Sequence, residues 1–191
     1  MVARAEFVLQ GMIMTSYFSL SNDLKTVIAN RDARVGVVGL GYVGLPLSLG
    51  VYDAGFAVTG VDINDARVEA INSGTQVLKY LAEDRISNAR ASGRYEASTD
   101  IRDLKDADVV LVSVPTSIDD NDKPDISPLV AAVNQLAPVV RPGACVIIES
   151  TVFPGAIREK IAPIFAQAGH SIGQNLFPVS YTHLTLPTKI V

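Results

Sequence analysis

The stretch Arg34-Val35-Gly36-Val37-Val38-Gly39-Leu40-Gly41-Tyr42-Val43-Gly44 constrains this chain more than any other. A valine-rich run predicts a buried strand, three glycines spaced Gly-x-Gly-x-x-Gly predict a tight turn, and Leu45 to Ala54 reads as a helix. The glycines have separate reasons to be there. Gly39 permits the sharp turn, Gly41 lacks the Cβ that would stop a phosphate from reaching the backbone, and Gly44 lets the helix close onto the strand. The first N–H groups of that helix have no helical acceptors and sit at the positive end of its dipole. The turn therefore reads as a cradle for the pyrophosphate of a dinucleotide.

The rest of the chain repeats the alternation of strand and helix. Asn22 or Asp23 is expected to cap a helix running to Asn30, ahead of a first strand over Ala33 to Val38. Strands are then expected at Ala57 to Val61, Tyr95 to Ala97, Asp108 to Val114 and Ala144 to Glu149, with helices at Asp65 to Asn72, Leu81 to Ala91 and Asp100 to Asp106. Ser127 is expected to cap a further helix, and Pro154 to open the last one, whose stripe is Ile157, Ile161, Ile164 and Phe165. The run Asp108-Val-Val-Leu-Val-Ser-Val114 is apolar on both alternating faces, as in a central parallel strand. The pattern predicts an α/β fold, a doubly wound parallel sheet of the Rossmann type.

The 191 residues carry 16 Lys and Arg against 20 Asp and Glu, a net charge of −4. This argues against general nucleic-acid binding, so any anionic ligand must be held by local donors. One cysteine excludes an internal disulfide framework and suits a reducing, cytoplasmic setting. No apolar run approaches the ~20 residues of a membrane span. Residues 1–22 read as an extension, in which Met14 is a second candidate start.

Asp62, eighteen positions after Gly44, ends the second strand. A carboxylate there accepts hydrogen bonds from the adenosine ribose hydroxyls and repels a 2′-phosphate, which favours NAD over NADP. Arg67 lies close enough in sequence to neutralise that acid or to stack on the adenine. Cys145 falls inside an apolar strand with no basic neighbour, where a thiol keeps its proton, so it is not expected to be a nucleophile. The acidic run Asp119-Asp-Asn-Asp122 lacks the glycine and glutamate of a calcium loop, and no metal site is expected. His170 follows a helix-ending glycine and reads as a surface residue, while Glu149 reads as a strand-end residue near the ligand rather than a general base.

Four separated motifs, Val38-Gly-Leu-Gly-Tyr-Val-Gly-Leu-Pro-Leu47, Val61-Asp-Ile63, Val114-Pro-Thr116 and Glu149-Ser-Thr-Val-Phe-Pro-Gly155, together resemble the N-terminal half of the UDP-glucose/GDP-mannose dehydrogenase family. The Gly-Leu-Pro-Leu, the Ala-Arg-Ala-Ser-Gly at 89–93 and the Glu-Ser-Thr-x-x-Pro-Gly are most similar to the UDP-N-acetylglucosamine 6-dehydrogenase branch. The resemblance covers residues 24 to 177. It implies oxidation of a sugar C6 alcohol to a carboxylate by two NAD+, the second step passing through a thiohemiacetal on a cysteine downstream of this chain. It implies cofactor contacts from Gly39, Gly41, Tyr42, Val43, Gly44, Asp62, Arg67 and Thr116. Thr151 is implied as a catalytic residue beside the nicotinamide, holding a water. By residue chemistry alone, Thr116 also reads as a turn hydroxyl and Thr151 as a helix cap.

The resemblance implies a UDP-sugar partner, no nucleic-acid or membrane partner, and a homodimer or larger assembly for the parent. Residues 178–191 match nothing in the family, which makes a truncated reading frame with a non-native tail the expectation. The sequence thus divides into an extension (1–22), an NAD-binding domain (23–177) and a tail (178–191), and the 191 residues are expected to bind NAD without completing the oxidation. A non-catalytic NAD-binding module, and a Rossmann dehydrogenase of the 3-hydroxyacid type, are the alternative readings.

Overall fold

The structure is a computed structural model and describes residues 22–82, 84–118, 124–173 and 175–180. A helix α1 (Asn22–Ala29) precedes strand β1 (Arg34–Val38), and the glycine turn then leads into helix α2 (Gly44–Asp53). Strand β2 (Ala57–Val61), helix α3 (Asp65–Asn72), helix α4 (Arg85–Ala91) and strand β3 (Tyr95–Ser98) follow. A single 3-10 turn, Ile101–Leu104, connects to β4 (Val109–Val112). A two-residue hairpin pairs β5 (Ser117–Ile118) with β6 (Pro124–Asp125) before helix α5 (Ser127–Leu136) and strand β7 (Cys145–Ile148). The last segment is a wide π turn, Ile157–Ile161, which continues as helix α6 (Ala162–Gln167), and then strand β8 (Phe177–Ser180).

Six strands form one parallel sheet in the order β3-β2-β1-β4-β7-β8. Helices α1 to α4 cover one face. Leu24, Leu45, Leu49, Val68, Ile71 and Ile86 there meet Val35, Val37 and Val58. The other face is covered by the 3-10 turn, α5, the π turn and α6, which bring Leu104, Leu129, Val133, Ile157, Ile161 and Phe165 onto Val110, Val112, Val146 and Ile148. The fully buried leucines, isoleucines and Phe165 each contribute about 1.5–3 kcal/mol relative to exposure. The fold expected from the alternation is the fold observed, and leaving aside the small hairpin its strand order is that of a dinucleotide-binding sheet.

The differences from the sequence reading have local causes. Ser127 does not cap α5. Its own N–H donates to Asp125 Oδ1 at 2.9 Å, so the aspartate two residues earlier closes the helix start. Pro154 lies in a turn rather than in the first helical turn, and Gly155 follows it at φ +90. The proline inside the helix is Pro163. It has no N–H for the ladder, and the turn ahead of it is widened, with Ala162 N–H donating five residues back to Ile157 O. The expected helix over Asp100 to Asp106 is only the 3-10 turn, capped by Asp100, whose side chain accepts from Arg102 N. Residues 178–180, assigned by sequence to the tail, belong to β8, where Pro178 pairs with Val146 and Ser180 with Ile148. The expected extension up to residue 21, the acidic run 119–122 and the tail beyond 180 lie outside the described residues.

Strand β3 is an edge, and side chains close it. Asn72 accepts from Ala97 N at 3.1 Å and donates to Ala97 O at 2.7 Å, while Arg90 donates to Tyr95 O. Backbone groups that would otherwise invite another strand are thereby occupied.

Candidate cofactor site

The carboxyl ends of β1, β2, β4 and β7 open into one cleft of about 660 Å³ at the point where the strand order reverses. Its walls include Gly39, Gly41, Tyr42, Val43, Asp62, Arg67, Thr116 and Thr151. Of the residues singled out by sequence, only Gly44 is not in the lining, and it packs behind the turn. A Cβ on Gly44 would lie 1.7 Å from Gly39 O, and one on Gly39, at φ +91, would lie 2.4 Å from Ser113 O. A Cβ on Gly41 would meet nothing within 4 Å. Two glycines are thus required by packing, while the third leaves bare backbone facing the cleft.

The turn presents a row of donors. Leu45 N donates to Gly41 O at 3.1 Å, which begins the helical ladder. Among the described residues, the N–H groups of Gly41, Tyr42, Val43 and Gly44 donate to no protein oxygen. These donors stand at the start of a ten-residue helix, where orphan N–H groups and the helix dipole favour a phosphate-type anion.

Asp62 is 7 % exposed and accepts three hydrogen bonds. Leu40 N donates to its Oδ2 at 2.7 Å, Asn64 N to Oδ1 at 2.9 Å, and Arg67 Nη1 to Oδ2 at 3.0 Å. A carboxylate has about four lone-pair sites, so one on Oδ1 remains for a ligand hydroxyl. Arg67 therefore pairs with the acid, and its guanidinium stays about one-third exposed at 34 %.

At the other end, Ser150 ties β4 to β7. Its Oγ donates to Val114 O at 2.7 Å and accepts from Val114 N at 3.1 Å. This fixes the strand ends that carry Thr116 and Thr151, and Thr151 is exposed to the cleft. Helix structure begins at Ala156, so Thr151 is too far upstream to be its cap. Glu149 lines the same cleft. Cys145 is buried on the opposite face, among the residues packed beneath α1 to α4, and burial pushes its thiol up to about 11. His170 is half-buried rather than on the surface, with Nε2 at 2.9 Å from Ala137 O and its ring edge-on to Phe165.

Sequence reasoning missed Ser150, Ile63, Ile101 and Gln135 as cleft residues. Ile63 had a usable signal, a large apolar residue directly after the strand-end acid, and in the fold it is 91 % exposed. For Gln135, on the fourth strand's following helix, no local signal exists.

Residues 33–182 match the UDP-glucose/GDP-mannose dehydrogenase family, NAD binding domain. The chain belongs to that family. It is 37% identical over 134 residues to the UDP-N-acetyl-D-glucosamine 6-dehydrogenase of Pseudomonas aeruginosa, covering 70% of this chain and 31% of the relative. It is 35% identical over 147 residues to Protein CapL of Staphylococcus aureus, covering 76% of this chain and 34% of that protein. The solved UDP-N-acetyl-mannosamine dehydrogenase Cap5O of S. aureus superposes with a TM-score of 0.72 at 29% identity, over 78% of this chain and 36% of that one. A ternary complex of GDP-mannose dehydrogenase from P. aeruginosa gives a TM-score of 0.72 at 25% identity. The chain spans about a third of the length of the curated relatives it matches. NAD is the cofactor of this domain, and the unclaimed donors, the bare backbone at Gly41 and the buried Asp62 fit it. No helix among the described residues is long and apolar enough to cross a membrane.

Proposed function

We propose that this chain forms the cofactor half of a UDP-sugar 6-dehydrogenase, and that the sugar is UDP-N-acetylglucosamine. One observation carries the reading: a single cleft joins the unclaimed N–H groups of Gly41, Tyr42 and Val43 and a buried carboxylate at one end to Thr116 and Thr151 at the other. Bound there, NAD+ supplies the hydride acceptor for oxidation of the C6 alcohol, twice for each uronate formed. The N–H groups of residues 41–44 hold the pyrophosphate, and Asp62 accepts from the adenosine ribose. Arg67 fixes the carboxylate that does so. Thr116 contacts the cofactor, and Thr151 sits beside the nicotinamide ring and holds a water. The relatives named for UDP-N-acetyl-D-glucosamine support the choice of sugar.

The thiol of the second oxidation is not Cys145, because a nucleophile must be ionised and reachable and burial keeps this one protonated. The UDP-sugar meets the cleft from parts of the enzyme other than these residues, in a cytoplasmic homodimer or larger assembly. Titration of the 191-residue chain by NADH fluorescence should show saturable binding, tighter than for NADPH. Incubation with NAD+ and UDP-N-acetylglucosamine should release no NADH. Tighter NADPH binding sinks the cofactor reading, and NADH release sinks the division of labour. In a full-length homologue, the counterpart of Thr151→Ala should lower turnover far more than NAD affinity, and unchanged turnover removes its role.

A further inference from the structure

Helix α2 has a gap in its hydrogen-bond ladder, and an aromatic side chain from a distant loop fills it. Leu45 N donates to Gly41 O and Leu47 N to Val43 O, both at 3.1 Å. The rung between them runs from residue 46 to the carbonyl of Tyr42. Residue 46 is proline and has no N–H to give. Tyr42 O is instead met by Tyr80, whose Oη donates to it at 2.7 Å across 38 residues of sequence. The two rings also pack edge-on, with centroids 5.1 Å apart at 61°. Both remain largely exposed beside the cleft, Tyr42 at 74 % and Tyr80 at 53 %.

The carbonyl of Tyr42 and the N–H of Val43 belong to one planar trans peptide and point in opposite directions. A donor on the carbonyl side therefore fixes the direction of the N–H on the other side, and polarises it. That N–H is one of the four unclaimed donors of the turn. We propose that Tyr80 is a positioning residue of the cofactor site: its hydroxyl replaces the hydrogen bond that Pro46 cannot make, and so aims the Val43 N–H at the dinucleotide pyrophosphate. This rests on the NAD reading above and adds to it a residue that does not line the cleft. Proline at position 46 stiffens the helix start, and Tyr80 restores the acceptor's partner without closing the turn to ligand.

The test uses the full chain, labelled with 15N, as wild type, Tyr80→Phe, Pro46→Ala and the double variant. Tyr80→Phe keeps the ring and removes only the donor. It should weaken NAD and ADP-ribose about five-fold, the worth of one net hydrogen bond, and leave adenosine, which has no phosphate, unchanged. Without any ligand, the Val43 amide resonance should move. In the Pro46→Ala background residue 46 regains its N–H and can close the ladder onto Tyr42, so the loss from Tyr80→Phe should shrink to less than about two-fold and the Val43 resonance should return toward its wild-type position. A merely structural tyrosine would weaken all three ligands alike and would not be rescued by changing a proline. An unmoved Val43 resonance in Tyr80→Phe, or a loss of equal size in both backgrounds, overturns the proposal. Absence of NAD binding by the wild type would instead overturn the cofactor reading, and the ligand-free resonance would still decide the role of Tyr80.

Discussion

Replacing Asp62 by alanine should separate what this carboxylate does for the fold from what it does for cofactor choice. Leu40 is fully buried, and its N–H at 2.7 Å from Oδ2 would lose its acceptor, at a cost of about 1–3 kcal/mol. Asn64 N is only partly buried, and water can replace its bond. The Arg67 pair is about one-third exposed on the arginine side, so its loss adds no more than about 1 kcal/mol. The total, about 1–4 kcal/mol, corresponds to a fall in melting temperature on the order of 2–15 °C for a domain of this size. For NAD, loss of a charge-assisted hydrogen bond to the ribose should weaken binding about 10- to 150-fold. NADP gains twice. The carboxylate that repels its 2′-phosphate is gone, and Arg67, freed from its partner at 3.0 Å, becomes available to that phosphate. NADH and NADPH fluorescence titrations of Asp62→Ala, with Asp62→Ala/Arg67→Leu as control, measure the switch. The ratio of the two affinities should move toward NADPH by at least about tenfold in the single variant and fall back in the double. A ratio that does not move, or one that moves equally without Arg67, refutes the argument.

Gly41→Ala places its methyl in open space and should leave the melting temperature nearly unchanged while obstructing NAD, whereas Gly44→Ala drives a methyl to 1.7 Å from Gly39 O and should unfold the turn; calorimetry with NADH titration separates them. Burial pushes the Tyr95 hydroxyl up to about 12 from 10.0, and its Ser48 hydrogen bond and the Arg90 charge offset only part of this. The unfolded chain therefore ionises first, so this stabilisation is complete below pH 10 and is lost as the pH rises toward 12, a slope that Tyr95→Phe should flatten in alkaline denaturation. In hydrogen exchange, the amides of Gly39, Leu40 and Ser113, which donate to Val61 O, Asp62 and Val38 O, should be protected without ligand, while those of Gly41 to Gly44 should become protected only with NAD.

The parts of this molecule that were legible in sequence are those decided by neighbours along the chain. Strand β2 and helix α3 were bounded correctly because the short run Ala57 to Val61, the acid that ends it and the glycine after Ser73 are all local signals, and the fold adds Asn64 as the helix cap. The glycine turn was legible for the same reason. Local rules failed where two of them competed: Ser127 and Asp125 are both good caps, and only the fold shows that Asp125 reaches the free N–H. They failed again near Pro163, where a helical stripe runs unbroken through a residue that cannot donate and the backbone answers by widening. Strand β8 was obscured because residues 178–180 read in sequence as part of a tail, whereas the family match runs to residue 182 and Phe177 to Ser180 pair with β7.

What no local rule could supply is the connection between the strand ends, and that connection defines the site. Asp62 reads in sequence as a ligand-selecting acid, yet in the fold it also staples the end of β2 to the turn after β1 through Leu40 N. Gly39 N reaches Val61 O beside it, Ser113 N reaches Val38 O, and Ser150 clamps Val114 from both sides. The turn's own carbonyl at Tyr42 is held from a loop 38 residues away. Each end of the cleft is thus held by hydrogen bonds that cross between strands, so the donors facing the cofactor are fixed before it arrives. Such preorganisation lowers the ordering cost of binding. It also means that substitutions at Asp62 or Ser150 will change stability and affinity together, whereas a side chain added at Gly41, which would meet only the cleft, will change affinity alone.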